Sequence, residues 1–182
     1  MKNLLKRALN WQKSVQILTS FSEDVEFFID SNIFIYFLLK HRTYSPIIKF
    51  FFNRIEKEEI KGYINHTVVS ETYFNYIRIK VSEKYKMASK DSNIYIKTNP
   101  DVIREIDSKI IEEVFSLPNL YFLNIENYKN IGSAMFEYSL LPNDAIHVAT
   151  CKEHGITNIA TNDKDFERVN FLKIWKPLIQ TK

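Results

Sequence analysis

The chain has 182 residues, and at about 150 residues per domain this length predicts a single domain. Its single cysteine excludes an intramolecular disulfide and any zinc site built from several cysteines, and its 3 glycines form neither a dinucleotide-binding fingerprint nor a P-loop. The formal net charge of +3 neither establishes nor excludes a nucleic-acid partner.

The first 22 residues are predicted to form an amphipathic helical extension that precedes the main domain. Their apolar side chains recur at helical spacing: Leu4, Leu5, Ala8, Leu9, Trp11, Val15 and Leu18. Gln12 and Lys13 interrupt the segment, so no signal-peptide core follows the basic N-terminus. The most apolar stretch, residues 27–39, is too short to span a bilayer. We therefore expect a cytoplasmic protein with no membrane partner.

Residues 23–182 alternate between short apolar runs and longer amphipathic segments. The apolar runs predict strands over 25–29, 61–65, 120–125, 157–160 and 172–175. The amphipathic segments predict helices over 33–40, 46–59, 67–77, 101–117, 128–138 and 144–154. Strands separated by helices indicate an α/β sandwich with a mostly parallel central sheet of 4–5 strands.

A polar segment over about residues 80–100 is predicted to be an insertion in this domain. It is rich in lysine and contains two tyrosines: Lys80, Lys84, Lys86, Lys90, Lys97, Tyr85 and Tyr95. Such a charged run is most often a solvated face. The alternative is that it follows an RNA backbone and stacks on bases.

Acidic residues occur where predicted strands end or predicted helices begin. Asp30 and Asp163 follow strands, whereas Glu71 and Asp144 lie near helix starts. Taken singly, each is most often a turn residue, a helix cap or a solvated side chain. Ligands of parallel sheets bind beyond the carboxyl ends of the strands, and clustered carboxylates there would suit Mg²⁺ or Mn²⁺. A metal held in this way supports hydrolysis of phosphodiesters without a nucleophilic side chain.

Three stretches occur in an order typical of one protein family. They read Phe-Ile-Asp-Ser-Asn-Ile-Phe-Ile-Tyr over 28–36, Thr-Val-Val-Ser-Glu over 67–71, and Asn-Asp-Ala-Ile-His-Val-Ala-Thr over 143–150, with Ile-Ala-Thr-Asn-Asp-Lys-Asp-Phe following over 159–166. Together they resemble the PIN-domain ribonucleases, and within them the VapC-like toxins of type II toxin–antitoxin pairs. The resemblance covers about residues 25–176 and implies a three-layer α/β/α sandwich.

The resemblance also implies a site and a reaction. It implies that four acidic residues, here called the acidic quartet, bind Mg²⁺ or Mn²⁺ and catalyse the reaction: Asp30, Glu71, Asp144 and Asp163. It implies three supporting polar residues: Asn32, Thr161 and Asp165. Asp163 and Asp165 could exchange roles. The implied reaction is metal-dependent hydrolysis of RNA to a 5′-phosphate and a 3′-hydroxyl, and the implied partners are RNA and a cognate antitoxin. Apart from the resemblance, a homodimer stays open, since the N-terminal helix could pack on the domain or contribute to a dimer.

Other functions stay open at this point. The toxin is the leading interpretation, and the alternative within the same family is a housekeeping RNA-processing nuclease. A non-catalytic RNA-binding domain fits less well, because an inert relative has no need of all four acids. A haloacid-dehalogenase-type phosphatase also places Asp after its first strand, but its second Asp is replaced here by Asn32. His147 shares a helix face with Asp144 and is predicted to be a satisfied packing residue.

Overall fold

A parallel β-sheet forms the centre of the molecule in the computed structural model, which describes residues 15–22 and 24–178. Within those ranges six strands occur: β1 Gln16–Ile17, β2 Glu26–Ile29, β3 Lys61–Ile64, β4 Leu120–Phe122, β5 Asn158–Ala160 and β6 Lys173–Lys176. Their order across the sheet is β1-β6-β5-β2-β3-β4, and every neighbouring pair is parallel. The α/β class and the parallel sheet predicted from the sequence are confirmed.

Helices connect the strands, as parallel pairing requires. The described α-helices are α1 Ser31–Leu38, α2 Ser45–Glu56, α3 His66–Lys84, α4 Ser92–Thr98, α5 Lys109–Phe115, α6 Lys129–Tyr138 and α7 Pro142–Glu153. Short 3₁₀ helices cover Pro100–Glu105 and Asp165–Arg168. The Asn65 side chain begins α3 by accepting a hydrogen bond from the Val68 amide, and Pro142 occupies the first turn of α7. Among the described residues, none of these helices is long and apolar enough to cross a membrane.

The prediction of an N-terminal helix is wrong for residues 16–17, which form β1. This strand pairs with β6, with Gln16 beside Trp175, and Leu18 directly after it is fully buried. Residues 1–14 of that prediction lie outside the described residues. The spacing of apolar residues in so short a segment does not reveal that β6 has an unpaired edge elsewhere in the fold. Pairing with that edge determines the conformation here, in spite of the helical spacing. The sheet therefore has six strands instead of the four or five expected.

Two helical predictions differ from the structure in length. The predicted 101–117 helix is divided, because the extended backbone of Ile106 separates the Pro100–Glu105 3₁₀ helix from α5. The predicted 67–77 helix continues to Lys84, so the lysine-rich 80–100 segment consists of the end of α3 followed by α4. Polar side chains at those positions hid the helical continuation from a reading based on apolar periodicity.

An aromatic cluster made of Phe21, Phe27, Phe51 and Trp175 packs the N-terminal segment and α2 against the sheet. The ring centroids lie 5.0 to 5.9 Å apart with interplanar angles of 65° to 89°, which is the favoured edge-to-face geometry. Phe27 and Phe51 are fully buried. The cluster thus anchors β2, the strand that ends at Asp30.

Replacing Gly62 with Ala is expected to lower the free energy of unfolding by about 1–3 kcal/mol, because apolar side chains pack closely against β3 at Gly62 and leave no space for a methyl group. An added Cβ would lie 2.8 Å from Ile29 Cδ1 and 2.9 Å from Leu120 Cδ1. Gly132 in α6 is the matched control, since a Cβ there meets no described atom within 4 Å. Gly132→Ala should raise the free energy of unfolding by up to about 1 kcal/mol. Urea denaturation compares them, and equal stability of Gly62→Ala and the wild type would contradict the prediction.

Candidate metal centre

The carboxyl end of β2 carries Asp30 at a central position of the sheet. Its amide donates a 3.0 Å hydrogen bond to the Ala160 carbonyl at the end of β5, and its residue is only 5 % exposed. The Thr161 hydroxyl donates to Asp30 Oδ2 over 2.6 Å, and the Asn32 side-chain amide donates to the same oxygen. These donors compensate for burying a carboxylate, and they set its orientation.

Thr161 and Asn32 join the loop after β5 to the start of α1. The Asn32 amide donates to Thr161 Oγ1 over 3.0 Å, and Asn32 Oδ1 accepts from the Asn162 backbone amide over 3.2 Å. Thr161 Oγ1 also accepts from the Asp163 amide over 2.9 Å. This network brings Asp163, at the end of one strand, towards Asp30, at the end of its neighbour.

Glu71 approaches the same edge from α3. The Ser31 hydroxyl lies 2.8 Å from Glu71 Oε2 and 3.3 Å from Asp30 Oδ1, so it bridges the two carboxylates. The Asn143 side chain donates to Glu71 Oε1 over 2.7 Å, and His147 Nε2 lies 3.5 Å from Oε2. Burial raises the pKa of Glu71, but the imidazole and the hydrogen bonds from Ser31 and Asn143 more than offset it, so the pKa falls below its usual value.

Asp144, in the first turn of α7, completes the group of acids. Burial raises its pKa to about 6, and repulsion from Asp163, Asp30 and Glu71 adds to the effect, while His147 opposes it. Burial also raises the pKa of Asp30, with Glu71 and Asp163 contributing in the same direction. The four acids predicted from the sequence therefore share one electrostatic environment.

Asp165 has a different environment from Asp163. Its carboxylate pairs with Arg168 Nη1 over 2.9 Å, and the same guanidinium donates to the Tyr138 and Ser139 carbonyls. The Asp165 amide donates to Asp163 Oδ1 over 2.8 Å. Asp165 thus supports the conformation of the loop, and its own charge is balanced by arginine.

Asp144→Asn is expected to stabilise the protein at neutral pH when a chelator is present. The folded-state pKa of Asp144 is about 6 instead of 3.8, chiefly because burial disfavours the ionised form. The folded protein then binds this proton more tightly than the unfolded chain does, so the free energy of unfolding falls as the pH rises from about 4 to about 6. Thermal unfolding in EDTA at pH 8 should give a higher Tm for Asp144→Asn, and the difference should vanish near pH 4. A lower Tm of the variant at pH 8 would contradict this expectation.

Sequence reasoning missed two residues that contact the acids, Ser31 and Asn143, and assigned a third, His147, to packing. The prediction that His147 is a satisfied packing residue is wrong, because neither ring nitrogen has a hydrogen-bond partner among the described residues although the side chain is fully buried. Its approach to Glu71 is therefore an electrostatic contact, longer than a hydrogen bond. The available signal was its position three residues after Asp144, which places both on one face of α7.

The residues at this edge fit a divalent cation. One ligand atom each from Asp30, Glu71 and His147 lies within 4.8 Å of the others. Burial is the main cause of the raised pKa values of Asp30 and Asp144, and repulsion between the neighbouring carboxylates adds to it. A bound cation would relieve both effects. Oxygen donors of this kind are typical of Mg²⁺ and Mn²⁺ sites.

Two of the lysines in the 80–100 segment have acidic partners on the protein itself. Lys80 Nζ lies 2.9 Å from Glu83, and Lys84 Nζ lies 2.7 Å from Glu105. The Tyr85 hydroxyl also donates to Glu105 over 2.8 Å. These contacts favour the interpretation of this segment as a solvated face, and contact with RNA stays an untested alternative.

Comparisons of the sequence with a family model and with known proteins indicate the same family. The family model described as PIN domain matches residues 27–172. The chain is 36% identical over 152 residues to Ribonuclease VapC2 of Methanocaldococcus jannaschii, which covers 84% of this chain and 94% of that protein. It is 33% identical over 119 residues to Ribonuclease VapC6 of the same organism, covering 62% of this chain and 74% of that protein.

Solved structures with the same fold are more distant in sequence. VapBC2 from Rickettsia felis, bound to a DNA fragment from its promoter, matches with a TM-score of 0.53 at 14% identity, covering 84% of this chain and 98% of that one. DNA-bound VapBC from Salmonella typhimurium matches with a TM-score of 0.52 at 15% identity, covering 85% and 99%. At these identities the likeness shows the fold alone.

Proposed function

This chain belongs to the PIN domain family, and from that premise we propose that it is a metal-dependent endoribonuclease that acts as the toxin of a toxin–antitoxin pair. The observation that carries the proposal is the convergence of four acids in a chain of this family: Asp30 and Asp163 follow the paired strands β2 and β5, and Glu71 and Asp144 reach the same edge from α3 and α7. The similarity to two proteins named as ribonucleases supports RNA as the substrate.

In the proposed site the quartet supplies the cation ligands: Asp30, Glu71, Asp144 and Asp163. When bound, Mg²⁺ or Mn²⁺ would activate water as the nucleophile and offset the charge that develops on the phosphate during in-line displacement. The chain's own polar residues orient the ligands. Thr161 and Asn32 hold Asp30 Oδ2, and Ser31 and Asn143 each hold one oxygen of Glu71. Such outer partners position the ligands before substrate arrives.

Charge distribution supports a polyanionic substrate. With the four quartet carboxylates left out, the formal net charge of +3 becomes +7 for the rest of the chain. Positive charge outside the quartet favours binding of a phosphate backbone. A cation held by the quartet would then contact the phosphate that is cleaved.

The test of ribonuclease activity uses purified wild-type protein and a labelled RNA. We expect cleavage in Mg²⁺ or Mn²⁺ that stops in EDTA, returns when metal is restored, and leaves 5′-phosphate ends. Cleavage that persists in EDTA after exhaustive dialysis would contradict a metal-dependent nuclease. Hydrolysis of a simple phosphomonoester, abolished by Asp30→Asn, would favour the phosphatase alternative instead.

The proposed partner is a cognate antitoxin, expected to insert a helix or strand into the groove and to place an Arg or Lys near the carboxylates. Coexpression tests it against a housekeeping role. Expression of the chain alone should arrest growth, and coexpression with a small neighbouring gene should restore it and yield a stable complex. Normal growth under expression of an active nuclease would favour housekeeping RNA processing.

A further inference from the structure

The buried imidazole of His147 lies between two aromatic rings. Its centroid is 5.2 Å from that of Phe28 on β2 and 6.3 Å from that of Phe166 in the 3₁₀ helix after β5. The side chain is 1 % exposed, and neither ring nitrogen has a hydrogen-bond partner among residues 15–22 and 24–178. A polar ring buried in this way is stable only if a further group satisfies it.

One ring nitrogen, Nε2, faces the acidic cluster. His147 Nε2 lies 3.5 Å from Glu71 Oε2, and ligand atoms of Asp30, Glu71 and His147 lie within 4.8 Å of one another. Ligand atoms this close together would need only small side-chain rotations to hold one cation. Phe28 and Phe166 hold the ring in place for that contact.

We propose that His147 is a nitrogen ligand of this cation site, which makes the site selective for Mn²⁺ over Mg²⁺. Imidazole nitrogen is a good donor to first-row transition metals, whereas Mg²⁺ prefers oxygen alone. In this arrangement the imidazole would supply a nitrogen lone pair beside the carboxylates, in a position that water holds in an all-oxygen site. The inference rests on the metal site of the proposed function, though not on the identity of the substrate.

The test measures Mn²⁺ binding by electron paramagnetic resonance in wild type, His147→Asn and His154→Asn. His154 is the matched control, because it is an exposed histidine at the other end of α7, where it contacts the Asn124 carbonyl. We expect His147→Asn to weaken Mn²⁺ binding by at least about 10-fold, the lower end of the range found when an outer partner of a metal ligand is lost. Mg²⁺ binding by the same variant should change much less, and His154→Asn should bind both metals like the wild type.

A second measurement does not depend on how His147→Asn folds. Wild-type protein labelled with ¹⁵N-histidine should show a nitrogen hyperfine coupling to bound Mn²⁺. Mn²⁺ that binds without this coupling, but is lost in Asp144→Asn, would overturn the role of His147 and leave the carboxylate site intact. Failure of wild type to bind Mn²⁺ or Mg²⁺ at all would overturn both the inference and the proposed metal-dependent activity.

Discussion

Asp144→Asn is expected to lower the rate of metal-dependent RNA cleavage by at least about 100-fold. Removing a group that only positions a metal ligand already costs up to about 100-fold in metal affinity or activity, and Asp144 is proposed to bind the metal directly. The substitution keeps the size of the side chain and removes the charge. In the first turn of α7, Asp144 is close enough to Asp163, Asp30 and Glu71 for their charges to raise its pKa. It is therefore a carboxylate that a divalent cation would hold in the ionised state.

Unfolding does not account for such a loss, since Asp144→Asn is expected to be the more stable protein in EDTA at neutral pH. The measurement is the initial rate of RNA cleavage over a range of Mn²⁺ concentrations. Asp101→Asn is the matched control, because its carboxylate is exposed and paired with Arg104 away from the site. Loss of an exposed ion pair has a small effect, so its rate should stay within about threefold of wild type. Full activity of Asp144→Asn would remove the basis of the proposed function.

Phe51→Ala is expected to lower the free energy of unfolding by about 3–5 kcal/mol, a large share of the total of a single domain. Phe51 is fully buried, and its ring meets Phe27 at 5.2 Å and Phe21 at 5.9 Å. Truncation leaves a cavity beneath β2 and loosens the contact that holds the N-terminal segment on the sheet. The surrounding rings belong to separate elements, so the cavity can collapse only in part.

Phe50→Ala on the same helix is the control for this prediction. Phe50 is 47% exposed, and its loss should change the free energy of unfolding by less than about 1 kcal/mol. Chemical denaturation monitored by circular dichroism compares both variants with the wild type. Similar decreases in the free energy of unfolding for the two substitutions would contradict the prediction that burial determines the effect at these adjacent residues.

The sequence was informative wherever a local pattern decides the structure. The apolar run before Asp30 and the Asp-Ser-Asn that follows it predicted a strand ending in a polar turn, and the structure has β2 ending directly before Asp30. β1 was missed because its formation depends on the open edge of β6, more than 150 residues away along the chain, and no local pattern carries that information.

The candidate site also combines residues that local motifs predicted with contacts that depend on how distant elements pack. The four acids were identified through motifs, and the structure brings them into one environment, although their catalytic roles stay a proposal. The contacts of Ser31 and Asn143 with Glu71 join α1, α3 and α7, and they depend on how those helices pack. For His147, helical spacing gave the correct face, but the lack of hydrogen-bond partners follows only from the three-dimensional surroundings.

The hydrogen bond between Thr161 and Asp30 joins residues that are 131 positions apart. β1 and β6 are separated by still more of the chain, since Gln16 pairs with Trp175. Contacts of such long range form late, because most of the chain must be ordered before they close. During synthesis the site cannot assemble until the chain has been made at least to Asp163. Translation products that stop before that residue lack one of the four acids proposed as metal ligands, and they also lack β6, the strand with which β1 pairs.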